Sequence, residues 1–234
     1  MTGFAHAPQL ITNARMLYLV WKPADPEAAA ALVPDELTPV DGSLCYMNQY
    51  VVDDESQISS AGEPDTFGAY SLTYLGLDLA GLDTEAGLPA RWWTHYMNSS
   101  AAMIRYAAAH GVPAVGGATE LDLADGKLEA TTVVDGNPII RTTCDVVVGD
   151  VAHGTGQLRY ITRVGGDLVS GRYPFVADFA EQFEVASLEF LDPGHPTWAL
   201  RPADPLEVTF GFYSPAISFC YPGGEGPLGS AHGS

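Results

Sequence analysis

The side chains able to do chemistry near neutral pH are few in this chain, and their spacing narrows what they can do together. Six histidines, His6, His95, His110, His153, His195 and His232, form no HxH or HxxxH pair. No cysteine pair lies beside them, so no metal site is expected. The two lysines, Lys22 next to Pro23 and Lys127 after a hairpin turn, sit where an ammonium group is normally solvated. His95 and Tyr96 are adjacent on a strand, and alternation turns one of them to each face. A pocket histidine could serve as general acid and base, and a pocket tyrosine could donate a hydrogen bond to a carbonyl or enolate oxygen. The plainer reading of His95 is a hydrogen-bonded or surface residue. Glu120, after the Gly116-Gly117 turn, could act as a base, although strand acids of this kind are usually solvated. Tyr70 reads first as a packing aromatic. No glycine-rich dinucleotide or phosphate loop is present, and no cofactor is expected.

Charge narrows the partners. Ten basic against 29 acidic residues give a net charge of -19, which repels nucleic acid and anionic lipid. An anionic substrate would then need a local basic group in its pocket, so the position of each arginine matters. Cys45, Cys144 and Cys220 are odd in number and far apart, the pattern of buried thiols in a reducing compartment. No secretory leader pattern and no apolar run of about 18 residues is seen, and the location expected is cytoplasmic.

The elements that must position these groups read mainly as strands. Residues 14–21 alternate and are rich in Leu, Tyr, Val and Trp. Asp25-Pro26 opens a short helix that Pro34 stops. Residues 43–52, 69–79 and 90–97 are further strands, and 53–65 is a loop. Asn98-Ser99-Ser100, formally a glycosylation sequon, is read as the cap of a helix reaching about His110, with Gly111 as its stop. Beyond it, 120–123, 127–134 and 139–148 form a meander joined by turns at Asp125-Gly126 and Asp135-Gly136. Residues 157–164, 183–190 and 206–213 add strands. The composition, 47% hydrophobic and 17% charged, is that of a folded chain: one domain over residues 1–221 and a glycine-rich, disordered tail over 222–234.

With these elements in order, the sequence resembles the acetoacetate decarboxylase family over nearly its whole length. Arg15-Met16-Leu17-Tyr18, and then Asp25-Pro26 through Val33-Pro34-Asp35-Glu36-Leu37, is similar to the family's arginine-bearing first strand and its helix ending in a Val-Pro-x-x-Leu turn. The strand from Trp92 to Met97, the helix after Asn98 and Gly111-Val112-Pro113-Ala114-Val115 match the family's strand, helix and Pro-Lys-Lys segment. The resemblance implies an α+β fold: a strongly curved antiparallel sheet or cone-like barrel around a ligand cavity, with a few flanking helices. It also implies a homo-oligomer.

The same alignment implies a changed site. Ala114 and Val115 stand where the family has its imine-forming lysine and the neighbour that lowers that lysine's pKa. Leu72, with Gly68, Tyr70 and Ser71 around it, replaces an acid, and Tyr106-Ala107-Ala108 replaces Gly-Arg-Glu. Arg15 falls on the family's active-site arginine and is expected to clamp a carboxylate or enolate, with His95 and Tyr96 on the strand beside the lost nucleophile. The function implied is an enzyme acting on a small carbonyl or β-keto, polyketide-like compound by imine-free acid/base chemistry. Dehydration, isomerisation or cyclisation, that is lyase or isomerase chemistry of secondary metabolism, fits this description. The alternative is a non-catalytic small-molecule binding protein on the same scaffold. Lysine-free decarboxylation ranks below both.

Overall fold

The computed structural model describes residues 8–60, 67–82 and 88–228. Strand β1 (Gln9–Trp21) sets the two sides of the architecture: Met16, Tyr18 and Val20 enter one apolar cluster, and Leu17, Leu19 and Trp21 enter another. Helix α1 (Pro26–Ala30) is capped by Asp25, whose carboxylate accepts from the Ala28 amide at 3.0 Å. Strands β2 (Cys45–Val52), β3 (Ile58–Ser60), β4 (Tyr70–Leu79) and β5 (Ala90–Asn98) follow. Helix α2 (Ala101–Ala109) starts on the Ser100 hydroxyl and ends at Gly111, whose φ of 77° only glycine adopts freely. Then come β6 (Ala114–Gly116), β7 (Ala118–Ala124), β8 (Lys127–Val134), β9 (Asn137–Val147), β10 (Ala152–Val164), β11 (Asp167–Phe179), β12 (Gln182–Phe190), β13 (Val208–Tyr221) and β14 (Gly226–Pro227).

Seven strands in the order β10-β11-β13-β1-β2-β4-β5 close into a barrel, because β5 also pairs in parallel with β10 at Arg91 and Tyr160. Strands β12-β9-β8-β7 form a separate antiparallel sheet. Its inner face, including Leu128, Ala130, Ile140 and Cys144, packs on the outward side chains of β1, β2 and β4. A buried chain of hydrogen bonds through Gln49, Thr132, Thr73 and Thr119 crosses that seam. The curved barrel with few helices is the architecture expected. The three cysteines are free thiols. No helix among the described residues is long and apolar enough to cross a membrane.

Several boundaries differ from expectation. β1 begins at Gln9, and β10 and β11 make one long hairpin across Gly165-Gly166, whose second arm the composition had hidden. The 53–65 segment holds a 3₁₀ turn with an Asp54 capping box, and β3; residues 61–66 lie outside the described residues. The tail is ordered as far as Leu228: β14 pairs with β11, and Glu225 accepts from the Tyr160 hydroxyl at 2.6 Å. Residues 229–234 lie outside the described residues.

Candidate functional site

The β4–β5 ladder decides what faces the interior. Its register shifts between Leu75 and Gly76, where Leu75 pairs with His95 but Gly76 pairs with Trp93, leaving Thr94 as a bulge. The extra residue reverses the phase of the strand. Arg91, Trp93 and Tyr96 all reach the interior side, whereas His95 joins Leu75 outside. Gly76 is required at this point, because a Cβ there would lie 1.8 Å from the Trp92 carbonyl oxygen. On β4, which carries no extra residue, plain alternation turns Tyr70, Leu72 and Tyr74 inward, and then Asp78 opposite Arg91.

Asp78 and Arg91 form a buried ion pair, with side chains 6% and 5% exposed and Nε to Oδ1 at 3.2 Å. Arg91 Nη2 donates to the Tyr18 hydroxyl, and the guanidinium carbon lies 4.8 and 4.7 Å from the Tyr18 and Tyr46 ring centroids. Burial opposes the Arg91 charge, but Tyr18 and Asp78 more than offset it and raise the pKa. Burial pushes the Asp78 carboxyl up, although Arg91 pulls it back. Burial also raises the Tyr18 phenol, which stays neutral and keeps its proton to donate.

Tyr18 and Arg91 of this group, with Asn48 and Tyr173, form the polar part of a cavity of about 330 Å³ whose wall is otherwise mostly apolar and aromatic side chains. Two donors on the lining residues, Arg91 Nη1 and Asn48 Nδ2, are buried with no hydrogen-bond partner among the described residues, and the neighbouring Tyr46 hydroxyl is a third such group. Asn48 is 1% exposed. Such orphaned donors each cost about 1 to 3 kcal/mol; both nitrogens are buried, so a ligand oxygen reaches them only with a shift of the surrounding side chains.

Beyond this cavity the barrel is plugged with tyrosines: Tyr74 bonds Tyr173 at 2.6 Å, and Tyr50 bonds Tyr70 at 2.9 Å. On the other side lies a space of only about 20 Å³, room for one water, lined by Tyr96, Tyr106, His110, Tyr160 and Glu225 among others. His110 Nδ1 is 2.8 Å from the Tyr106 carbonyl oxygen, so it carries the proton and leaves Nε2 toward Glu225, 3.9 Å away.

The residues singled out from sequence divide accordingly. Tyr70, Leu72 and Tyr96 meet in the interior cluster, with Ala114 packed against it, but none lines the large cavity. The others need correction. Arg15 has the outward parity of Leu17; it forks onto Asp53 at 2.8 and 2.6 Å and donates to the Leu121 carbonyl, outside the barrel. His95 also lies outside, against Thr94 at 2.9 Å and with its ring 6.5 Å from that of His195. Burial and then His195 lower its pKa to about 4, so it is neutral and faces no cavity. Glu120 is solvent-exposed on β7, and Val115 is 50% exposed. Sequence reasoning missed Arg91, Asp78 and Asn48, although a lone arginine and a lone aspartate inside otherwise apolar strands were a usable signal.

Compared by sequence, the chain matches no protein-family model and no curated protein. Compared by structure, it is similar to the enduracididine biosynthesis enzyme MppR with HEPES bound, at 15% identity and a TM-score of 0.66, covering 96% of this chain and 89% of that one. It is also similar to an acetoacetate decarboxylase from Legionella pneumophila subsp. pneumophila str. Philadelphia 1, at 11% identity and TM-score 0.63, covering 95% and 88%. An acetoacetate decarboxylase-like enzyme from Sphingomonas wittichii RW1 matches at 15% identity and TM-score 0.59, covering 95% and 94%. The chain has the acetoacetate decarboxylase-like fold. Within that fold, Ala114 pairs with Tyr96 where the resemblance puts a lysine, and no lysine lines either interior space. Lys22 instead pairs with Glu207 at 2.6 Å, and Lys127 pairs with Asp145. Among the described residues no cluster of His, Cys, Asp and Glu gathers as metal ligands would.

Proposed function

We propose that this protein takes a small carbonyl or carboxylate compound, of the β-keto acid kind, into the 330 Å³ cavity and activates it without an imine. The observation that carries this reading is the pair of buried, unpartnered donors, Arg91 Nη1 and Asn48 Nδ2, on two residues that line one cavity. A carboxylate or a developing enolate oxygen offers the acceptor they lack, and donors fixed in advance in a water-poor site stabilise such an oxyanion strongly. Tyr18 supports the same chemistry, since its oxygen accepts from Arg91 and its proton is free to move toward the ligand. Dehydration, isomerisation and cyclisation all pass through an oxyanion of this type. Another structure of MppR holds pyruvate, and a further one holds the condensation product of pyruvate and imidazole 4-carboxaldehyde; these neighbours support a carbonyl ligand here. The three free cysteines and the acidic charge support a cytoplasmic location.

One observation favours a second reading, binding without turnover: no histidine, lysine or carboxylate lines the cavity among the described residues. Exchange of α-protons in D2O separates the two. Incubation of the protein with acetoacetate or pyruvate, followed by NMR, should show accelerated α-proton loss that Arg91→Gln and Asn48→Leu abolish. Tight binding with no accelerated exchange would establish the binding protein instead. If neither substitution alters affinity, the donor site is wrongly assigned.

A further inference from the structure

We propose that the natural ligand is an amphipathic acid with a flat, aromatic body of about two fused rings, its acidic head on Arg91 and Asn48. The inference rests on the oxyanion site just described and adds what fills the rest of the cavity. A space of about 150 Å³ holds one benzene, so about 330 Å³ leaves roughly two rings' worth of volume beside the polar end. Acetoacetate or pyruvate would leave most of that space empty or wet, against a wall that offers water nothing to bond.

The shape of the wall argues for rings over a flexible chain. Phe212 stacks on Tyr18 at 5.2 Å between centroids and 23° between planes, and Phe179 meets Phe212 edge-on at 4.9 Å and 80°. Phe175 and Phe219 add further ring surface. Phe210, also lining the cavity, is 57% exposed, an uncovered apolar surface where a ligand body would enter. Offset-stacked and edge-on contacts favour an aromatic guest beyond the area it buries. The cavity has its donors at one end only, so a ligand has one orientation available: acid inward, rings toward the mouth.

The test measures Kd by calorimetry for acetoacetate, decanoate, 2-naphthylacetate and the uncharged 2-naphthylmethanol. Each buried methylene equivalent is worth about three- to fourfold in affinity. The expectation is therefore that 2-naphthylacetate binds at least 30-fold tighter than acetoacetate, and tighter than both decanoate and 2-naphthylmethanol. Asn48→Leu and Arg91→Gln, each checked for native circular dichroism, should weaken 2-naphthylacetate at least tenfold. If acetoacetate binds as tightly as 2-naphthylacetate, the aromatic body is refuted while the donor site stands. Decanoate binding more tightly than 2-naphthylacetate overturns the preference for rings. Equal affinity of 2-naphthylacetate and 2-naphthylmethanol, unaffected by either substitution, refutes the acidic head, and with it the function proposed above.

Discussion

Replacing Arg91 by methionine should expose how the polar end of the cavity is held together. The two side chains of the Arg91–Asp78 pair are 5% and 6% exposed, so removal of the guanidinium leaves a carboxylate with neither water nor a cation. Breaking a buried pair in this way costs about 3 to 5 kcal/mol. Methionine keeps apolar contact with the Tyr18 and Tyr46 rings, so little of that figure is a cavity effect. The loss should depend on pH. Burial already holds the Asp78 carboxyl above its ordinary pKa against the pull of Arg91, and without Arg91 it rises further. A carboxyl raised in the folded state favours folding below its unfolded pKa of about 4. That advantage is lost as pH rises through the folded value. The deficit of Arg91→Met relative to wild type should thus be greatest at pH 7.5 and shrink steadily toward pH 4. Adding Asp78→Leu should recover most of it at pH 7.5, since an apolar replacement of a whole buried pair is often neutral or better. Urea unfolding of wild type, Arg91→Met and the double variant at pH 7.5, 5.5 and 4 gives these differences directly. A deficit below about 1 kcal/mol at pH 7.5, or one that does not change with pH, would refute this account of the pair.

Three further outcomes are expected. With a folded-state pKa of about 4 against an ordinary 6.5, His95 supports the native state at neutral pH. It withdraws about 3 kcal/mol of that support as pH falls from 6.5 to 4; His95→Gln should flatten this part of the stability profile, as urea titrations across the range would reveal. Arg15→Met removes a partly exposed ion pair and one bond to the Leu121 carbonyl, so it should cost about 1 to 2 kcal/mol and leave the Kd for 2-naphthylacetate unchanged; a tenfold loss of affinity would return Arg15 to the site. Borohydride with acetoacetate or pyruvate should give no adduct by intact-mass measurement, because both lysines are held in surface ion pairs.

What the sequence made legible was local. Strand identity followed from alternation, the Asp125-Gly126 and Asp135-Gly136 turns from residues that tolerate the positive φ both adopt, and the start of α2 from Ser100. Which face each strand presents was another matter. A single bulge at Thr94 places Trp93 and Tyr96, three residues apart, on the same side, and the choice between His95 and Tyr96 hangs on it. Arg15 was assigned by its place in a resemblant first strand, yet it has the parity of Leu17, and Met16 and Tyr18 on the same strand are the residues that line the cavity. Arg91 and Asp78 are lone charges in apolar strands, a signal the sequence reading passed over, and their meeting depends on the β4–β5 register, which composition does not carry. The glycine-rich tail read as disorder because composition cannot register one carboxylate, Glu225, reaching Tyr160.

The plugged barrel has an optical consequence. All 11 tyrosines of the chain are buried, and burial raises the pKa of every phenol. In most proteins an alkaline titration followed by ultraviolet absorbance shows exposed tyrosines ionising one by one near pH 10. Here the native protein should stay spectroscopically silent through that range. Phenolate absorbance would appear only when the barrel opens and its tyrosines meet water, which makes the ultraviolet spectrum of the sample a direct readout of whether the fold is closed.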